Sequence, residues 1–561
     1  MKTQRMLREV LSHIDGRGYP AYKELAGSWQ MEGFVLFVDH VQGDPFASPS
    51  SLRVQVPAQT ARFPEDLYAN DTRKTALEDA IARIFAEKIR KFSARSGSGK
   101  SGALIFPQPS PEVIKRTAVS VDGGTGAVTA VFRAGFPAEG RRIDGRAMER
   151  LVLQKIPALV QGTLVYPNLD GKVLSSSCDL AEDQEALRAF VKREGLAAFV
   201  ADGAILPRRD GVSKAPLPGA VPFSSPAALR VTAQLPHRGT VSGMGIPRGV
   251  TLITGGGYHG KSTLLSALSL GIYNHVSGDG RELVVTDDTA VKVRAEDGRS
   301  VFADDISLFL SDLPGGADAH CFSTENASGS TSEAASIVEA AEGGAGVLLL
   351  DEDTSATNLL MRDALMEQAV PNEPITPLID RIRGLYEKMG ISVILAAGSF
   401  GAYFAAADTV LLLDHYRVSD ITKKAHAIAK GAARAPRPFT GVPSARLCPV
   451  QDAALLDPRT KVRTDGTDGF FLGRKEVDLR LVEQLACEEQ TQALALCLLY
   501  LERNCFDGKT GIADAAGILA KRLSREGLSI LYSGSRSVPF LALPRKAEIL
   551  SAVNRFRGLQ T

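Results

Sequence analysis

The pattern of apolar positions opens with a predicted helix, and GFVLFVDHVQ then reads as an extended run before the basic, Ser/Gly-rich KIRKFSARSGSGKSG, an expected exposed loop. From about residue 106 to 235, strand-like stretches such as AVTAVFRAGFP alternate with helical ones such as EDQEALRAFVKREG. That region closes in the proline-rich LPRRDGVSKAPLPGAVPFSSP, a linker or wrap-around loop. Residues 236 to about 428 repeat apolar strands and helical segments, the pattern of a parallel α/β sheet. Beyond 429 a basic, proline-containing stretch precedes VDLRLVEQLACEEQTQALALCLLYLERN, whose amphipathic pattern predicts a mostly helical appendage. The expected division is therefore 1–105 (α+β with a basic loop), 106–235 (α/β and linker), 236–428 (α/β core) and 429–561 (mostly helical), with no internal repeat.

One apolar stretch, Ser392 to Leu413, is long enough to span a membrane, and Asp408 is its only charge. It is rich in Gly, Ala and Ser and breaks at Gly398-Ser399, so it predicts two buried strands joined by a loop and a short helix. The N-terminus lacks the apolar core of a signal peptide and carries Glu9 and Asp15, so a cytoplasmic location is expected. Six cysteines stand with no C-x-x-C pair, which argues for a reducing compartment and against structural zinc. The 561 residues exceed one ordinary core, and a 44% apolar and 23% charged composition is that of a globular protein. With a net charge of +1, any attraction to nucleic acid must come from local patches.

The chemistry-bearing residues fall in the α/β core. Gly255-Gly256-Gly257-Tyr258-His259-Gly260-Lys261-Ser262 matches G-x-x-x-x-G-K-[ST] between an apolar strand and a helix. Successive N–H groups of such a loop point inward at phosphate, and the helix start adds partial positive charge. Residues 255 to 263, including Thr263, are thus candidates for holding ATP, with Lys261 reaching the β/γ-phosphates and Ser262 ligating Mg²⁺. The earlier Gly97–Gly102 run has Ala94 where the first glycine should stand and basic flanks, so it is no second site. Downstream, four apolar residues (Val347 to Leu350) deliver Asp351 and Glu352 at a strand end. Asp351 suits a place beside Mg²⁺, and Glu352 suits polarising the attacking water. Between these motifs Ser328-Gly329-Ser330-Thr331-Ser332 opens a helix, where donors and helix dipole would face an anion. A helix cap explains one serine but not five small polar residues.

The set MGIPRGVTLITGGGYHGKSTLL, YNHVSGDGRE, RAEDGRSV, ASGSTSEAASIVEA, LLLDEDTSATN and EPITPLID resembles the family known as predicted ATPases of the ABC class. VDHVQGDPFASPS and FVADGAILPR upstream, and LPRKAEILSAVNRFRGL near the C-terminus, extend the resemblance over nearly the whole chain. It implies an ABC-type P-loop NTPase core for 236–428, ATP hydrolysis with Mg²⁺, and a head-to-tail homodimer in which Ser328, Gly329, Ser330 and Thr331 meet the γ-phosphate on the partner's P-loop. Ser355-Ala356-Thr357-Asn358 would be the loop touching the partner's site, although Asn358 replaces the usual acid. Where ABC proteins usually place a switch histidine this chain has Gly398-Ser399-Phe400, so slow turnover is expected, with Ser399 or a water as substitute. Asp305 and Ser307 are candidate replacements for the glutamine loop, and Phe223 or Tyr258 for the adenine-stacking aromatic.

Two basic stretches suit phosphate backbones: Lys88, Arg90, Lys91, Arg95 and Lys100 around Phe92, and Lys423, Lys424, Lys430, Arg434, Arg437 and Arg446. Charge runs are often solvated faces. The leading expectation is a nucleic-acid-binding ATPase, with RNA favoured by resemblance. The alternatives are the ATPase subunit of a transporter with a separate membrane partner, and a slow nucleotide-dependent switch.

Overall fold

The structure is a computed structural model. It describes residues 2–94, 97–370, 372–430, 439, 441–452, 455–457, 460–532, 537–557 and 559. Two units form, one from Met1–Glu182 with Leu528–Leu543, the other from Asp183–Gly527 with Pro544–Thr561.

In the first unit, Thr3 caps α1 (Gln4–Ile14), which follows β1 (Lys2–Thr3). Strands β2 (Gly27–Gln30), β3 (Val35–His40) and β4 (Ser50–Val56) precede α2 (Asp71–Phe92), which Asn70 caps through the Arg73 amide. After α2 come β5 (Leu104–Ile105), β6 (Val119–Val121) and β7 (Val128–Ala134). The sheet order is β1-β2-β3-β4-β7-β5, with β6 also pairing β7. The expected boundary at residue 105 therefore falls inside one sheet, since β4 pairs β7 from Ser50↔Ala134 to Val56↔Val128. The N–H and C=O groups along the edge of β4 need a partner strand, and β7 supplies it from beyond that boundary. Leu528–Leu543 joins the same unit through Leu543 N–H to Lys115 O (2.9 Å) and Thr117 N–H to Leu541 O (3.0 Å).

From Gly97 to Gly102 the Ser/Gly-rich segment is tied to the fold and is not the free exposed loop expected. Amides of Ser98, Lys100 and Gly102 donate to Ala138, Pro45 and Gly135 carbonyls at 2.8–2.9 Å, and Ser101 is buried.

In the second unit β8 (Leu196–Ala201), β9 (Arg230–Leu235), β10 (Gly239–Pro247) and β12 (Val284–Thr286) make a sheet ordered β9-β10-β8-β12. The expected boundary at 235 falls in the β9–β10 hairpin, where Leu235 faces Gly239. The main sheet takes β11 (Val250–Gly255), β13 (Val291–Lys292), β16 (Val347–Asp351), β17 (Ser392–Ala396), β18 (Thr409–Asp414) and β19 (Arg417–Asp420) in the order β13-β16-β17-β11-β18-β19. The pairings β13 to β16, β16 to β17, β17 to β11 and β11 to β18 are parallel, and β19 is antiparallel. Continuous apolar runs fit strands covered on both faces, and β16 and β17 are buried throughout.

Helices α3 (Lys261–Leu270), α4 (Gly329–Glu342) and α5 (Leu378–Met389) belong to this core, and β14 (Arg299–Asp304) pairs β15 (Phe322–Ala327) just before α4. Ser392–Leu413 is two strands joined through a short helix, Gly401–Ala405, as its glycines predict. Among the described residues, no helix is long and apolar enough to cross a membrane.

The C-terminal region holds α6 (Glu488–Asn504), α7 (Ile512–Glu526) and α8 (Lys546–Asn554), and also a three-stranded antiparallel sheet, β20 (Val462–Asp465), β21 (Gly469–Leu472) and β22 (Lys475–Asp478). The helix predicted from Val477 onward begins only at Glu488. Val477, Leu479 and Leu485 are buried from strand and turn positions instead.

Candidate nucleotide site

Strand β11 ends at Gly255, whose φ of 143° and close approach to β18 exclude a side chain: a Cβ there would lie 2.2 Å from Leu413 O. Gly260, at φ 100°, closes the loop, and a Cβ on it would meet the Tyr416 ring at 2.7 Å. The two glycines of the motif are therefore demanded by the packing of the loop against β18 and its turn. Lys261 Nζ donates to Gly255 O at 2.9 Å and Gly256 O at 3.0 Å, which folds the ammonium over the loop it opens from. Ser262 is exposed and Thr263 half-buried at the start of α3, where backbone N–H groups lack intrahelical acceptors. Gly256, Gly257 and Tyr258 are exposed, Tyr258 completely so, with φ 62°.

The turn between β18 and β19 braces this loop. The Tyr416 amide donates to His259 O at 3.1 Å, and the Nδ1 atoms of His259 and His415 lie 3.2 and 2.7 Å from Asp414 Oδ1. His415 and Tyr416 adopt φ of 46° and 63°, the left-handed region that tight hairpin turns usually give to Asn and Gly. Phe223, 4% exposed, lines a cleft with Tyr416, Thr263 and Leu264, whereas Tyr258 stands clear of it in solvent. Tyr416 was not among the residues the sequence singled out, because only its left-handed backbone and its place beside Gly260 mark it.

Asp351 is buried at the end of β16, level with Ala396 of β17, which is in turn level with Ile253 of β11. Glu352 is half-buried. Its Oε2 accepts from the amides of Gly398 (2.7 Å) and Ser399 (3.1 Å). A Cβ on Gly398 would lie 3.2 Å from both Lys261 Nζ and Gly255 O. The segment that lacks a histidine thus offers a pair of backbone donors, and it brings Glu352 to the P-loop. Asp305, by contrast, accepts from Ser307 and from the amide and hydroxyl of Ser444, so its oxygens are engaged away from the loop.

Ser328 precedes α4 with an extended backbone and makes no side-chain cap, its hydroxyl lying 3.0 Å from Thr331 Oγ1 and 3.5 Å from Ser330 Oγ. Ser328 is exposed, Gly329 and Thr331 half-buried, and Ser330 buried. Ser332, the fifth of the run, is internal: its Oγ accepts from the Glu296 amide at 2.8 Å and donates to Gly329 O. Among the described residues, no hydrogen bond or ion pair joins Ser328–Thr331 to residues 255–263.

The basic patches fare differently. Arg90 and Lys91 are exposed at the end of α2, Lys91 paired with Glu87 at 2.6 Å, while Lys88 and Lys100 are half-buried. Arg95, Arg434 and Arg437 lie outside the described residues. Lys423, Lys424 and Lys430 are exposed, but Arg446 is 5% exposed and ion-paired with Asp304 (2.8 Å) and Glu342 (2.6 Å). It braces α4 and cannot serve a surface patch, because acids distant in sequence enclose it.

A parallel sheet whose strand β11 feeds a glycine loop and helix, with an acidic pair ending a neighbouring strand, defines a P-loop nucleotide-binding domain of the α/β class. Residues 170–442 match the ABC ATPase P-loop domain, residues 4–167 the family described as ATPase of the ABC class N-terminal, and residues 461–561 the MRB1590 C-terminal domain. The chain belongs to the ATPases of the ABC class. It is 30% identical over 245 residues to the uncharacterized protein MJ1628 of Methanocaldococcus jannaschii, covering 42% of this chain and 54% of that relative's length. Among solved structures it is similar to cbiO1 from Clostridium perfringens, part of the ABC transporter complex cbiONQ, at 16% identity and a TM-score of 0.26, over 43% of this chain and 97% of that one. A second is MJ1267, an ATP-binding cassette of an ABC transporter in its ADP conformation, at 12% identity and a TM-score of 0.24, over 34% of this chain and 88% of that one.

Proposed function

We propose that two copies of this chain close head to tail on two ATP molecules, each held by one copy's P-loop and the other's Ser328–Thr331 turn, and hydrolyse them slowly. The observation that carries this reading is that Ser328 does not cap its own helix and, among the described residues, no hydrogen bond or ion pair ties its turn to the loop at 255–263. Donors at an exposed helix start suit an anion brought by another molecule.

Within each site the amides of 255–263 and Lys261 hold the phosphates, and the cleft of Phe223 and Tyr416 takes the nucleoside. Ser262 and Asp351 are the oxygen donors suited to Mg²⁺, which neutralises charge on the transferring phosphoryl group when bound. Glu352 is the general base, contributing about 10²–10⁴-fold. With Oε2 held by the Gly398 and Ser399 amides, its other oxygen is left for the attacking water. Gly398-Ser399-Phe400, after β17, carries no histidine to orient that water, which supports slow turnover and favours a timing role.

Mixing two inactive variants tests the composite site. Lys261→Ala and Ser328→Arg each lose ATPase activity alone, but a mixed dimer contains one intact P-loop facing one intact turn. Recovered activity on mixing supports the reading. An inactive mixture, with exchange of subunits demonstrated, contradicts it.

Nucleic-acid contact, RNA before DNA, is the proposed use of the engine, supported by the exposed Arg90 and Lys91 at the end of α2 and by Lys423, Lys424 and Lys430. RNA affinity should fall steeply with salt, and reversing Arg90 and Lys91 should lower the slope by about one or two phosphate contacts. An unchanged slope removes this surface from consideration.

A further inference from the structure

Glu333 is fully buried, one residue beyond Ser332 on α4. Its Oε2 accepts from the Ala356 amide at 2.7 Å, four residues past Glu352 in the loop Ser355–Asn358. The same loop is tied back again, Thr354 O accepting from the Ala295 amide at 3.0 Å, while the neighbouring Glu296 amide donates to Ser332 Oγ at 2.8 Å. A ring of hydrogen bonds thus runs from α4 through Glu333 to residues 354–356, across to 295–296, and back to α4 at Ser332. Burial pushes the Glu333 carboxyl up to about 7, opposed by the nearby Ser355 hydroxyl, the Ala356 amide and the Arg294 charge. An apolar side chain in this buried place would carry no such penalty, but it would leave the Ala356 amide without its acceptor on α4.

We propose that Glu333 is a positioning residue that locks the 353–358 loop to the start of α4, so that Ser328 and Thr357–Asn358 meet the partner copy as one rigid surface. Closure on ATP then engages both segments together. This inference rests on the head-to-tail reading above.

Two conservative variants separate reach from charge. Glu333→Asp keeps the carboxylate but is one methylene short of the Ala356 amide, whereas Glu333→Gln loses the charge and keeps an acceptor at full reach. Each is made in the wild-type chain, for kcat and KM, and with Glu352→Gln, for ATP-driven dimer formation. ATP affinity of the isolated chain should stay unchanged in both, because the P-loop is untouched. The Asp variant should lose about tenfold in dimer affinity and in kcat, the worth of one buried hydrogen bond, and the Gln variant should retain both. An Asp variant as competent as its parent, or a Gln variant as defective as Asp, overturns the inference.

Should the Asp variant not fold, amide exchange in the Glu352→Gln chain decides. On adding ATP, protection at 329–331 and at 354–358 should rise together, and independent responses overturn the proposal. If Glu352→Gln alone never dimerises with ATP, the head-to-tail reading fails and this inference with it. If it dimerises equally well with Glu333→Asp, only the inference fails.

Discussion

The P-loop and the start of α4 are both helix beginnings open to an anion, yet they are held in opposite ways. The P-loop backbone is packed closely against β18 and its turn, with Gly255 against Leu413 O and Gly260 under the Tyr416 ring, and its lysine donates to its own carbonyls. The start of α4 is held by side chains: Ser332 on the Glu296 amide, Glu333 on the Ala356 amide, and Arg299 on Ser336 and Glu339. At Gly255 and Gly260 this loop has no room for an added atom. A side-chain-held turn tolerates substitution locally, but its orientation depends on groups far away in sequence, including Arg446 and Arg555 from the C-terminal region.

The comparison breaks most sharply at Gly255. Gly255→Ala should abolish ATP binding, read by equilibrium titration, because its methyl group would lie 2.2 Å from Leu413 O and the loop must move. On the α4 side, Arg446→Met should destabilise the full chain by about 3–5 kcal/mol in chemical denaturation, since Asp304, Glu339 and Glu342 lose their shared cation.

The next effect is a pH dependence confined to the α4 side. Burial raises the Glu333 carboxyl from 4.5 to about 7 on folding, so the folded chain holds that proton more tightly than the unfolded one. Its contribution to stability is fully present below pH 4.5 and is lost as pH rises through 7. Relative to wild type, Glu333→Gln should therefore gain stability with rising pH, by up to roughly 3 kcal/mol at pH 8, measured by denaturation at a series of pH values. The smallest effect is expected from Ser332→Ala, about 1–2 kcal/mol for its two lost hydrogen bonds, to the Glu296 amide and to Gly329 O, with P-loop affinity for ATP unchanged.

The same contrast explains what the sequence made legible. Backbone-held features carry glycines and apolar runs, so Gly255–Ser262, the strand ending in Asp351 and Glu352, and the two strands of Ser392–Leu413 could all be read from local pattern. Glu333 could not, because a single acid in SGSTSEAAS looks like any helix residue until Ala356 is found beside it. Arg446 read as a surface cation for the same reason, since Asp304, Glu339 and Glu342 come from elsewhere in the chain. Fold boundaries failed wherever a sheet closes over a long sequence distance: β4 finds its partner in β7, past residue 105, and Leu528–Leu543 returns to the first unit from near the C-terminus. The order in Gly97–Gly102 was hidden because its bonds go to Pro45, Gly135 and Ala138.

The central claim is that a complete ATP site needs two copies. Its most direct test is the mass of Glu352→Gln in solution by sedimentation equilibrium, with and without ATP and Mg²⁺. Two sandwiched nucleotides predict a shift from the 59.7 kDa chain to twice that mass, with one ATP bound per chain. A chain that saturates with ATP and remains at the single mass contradicts the account.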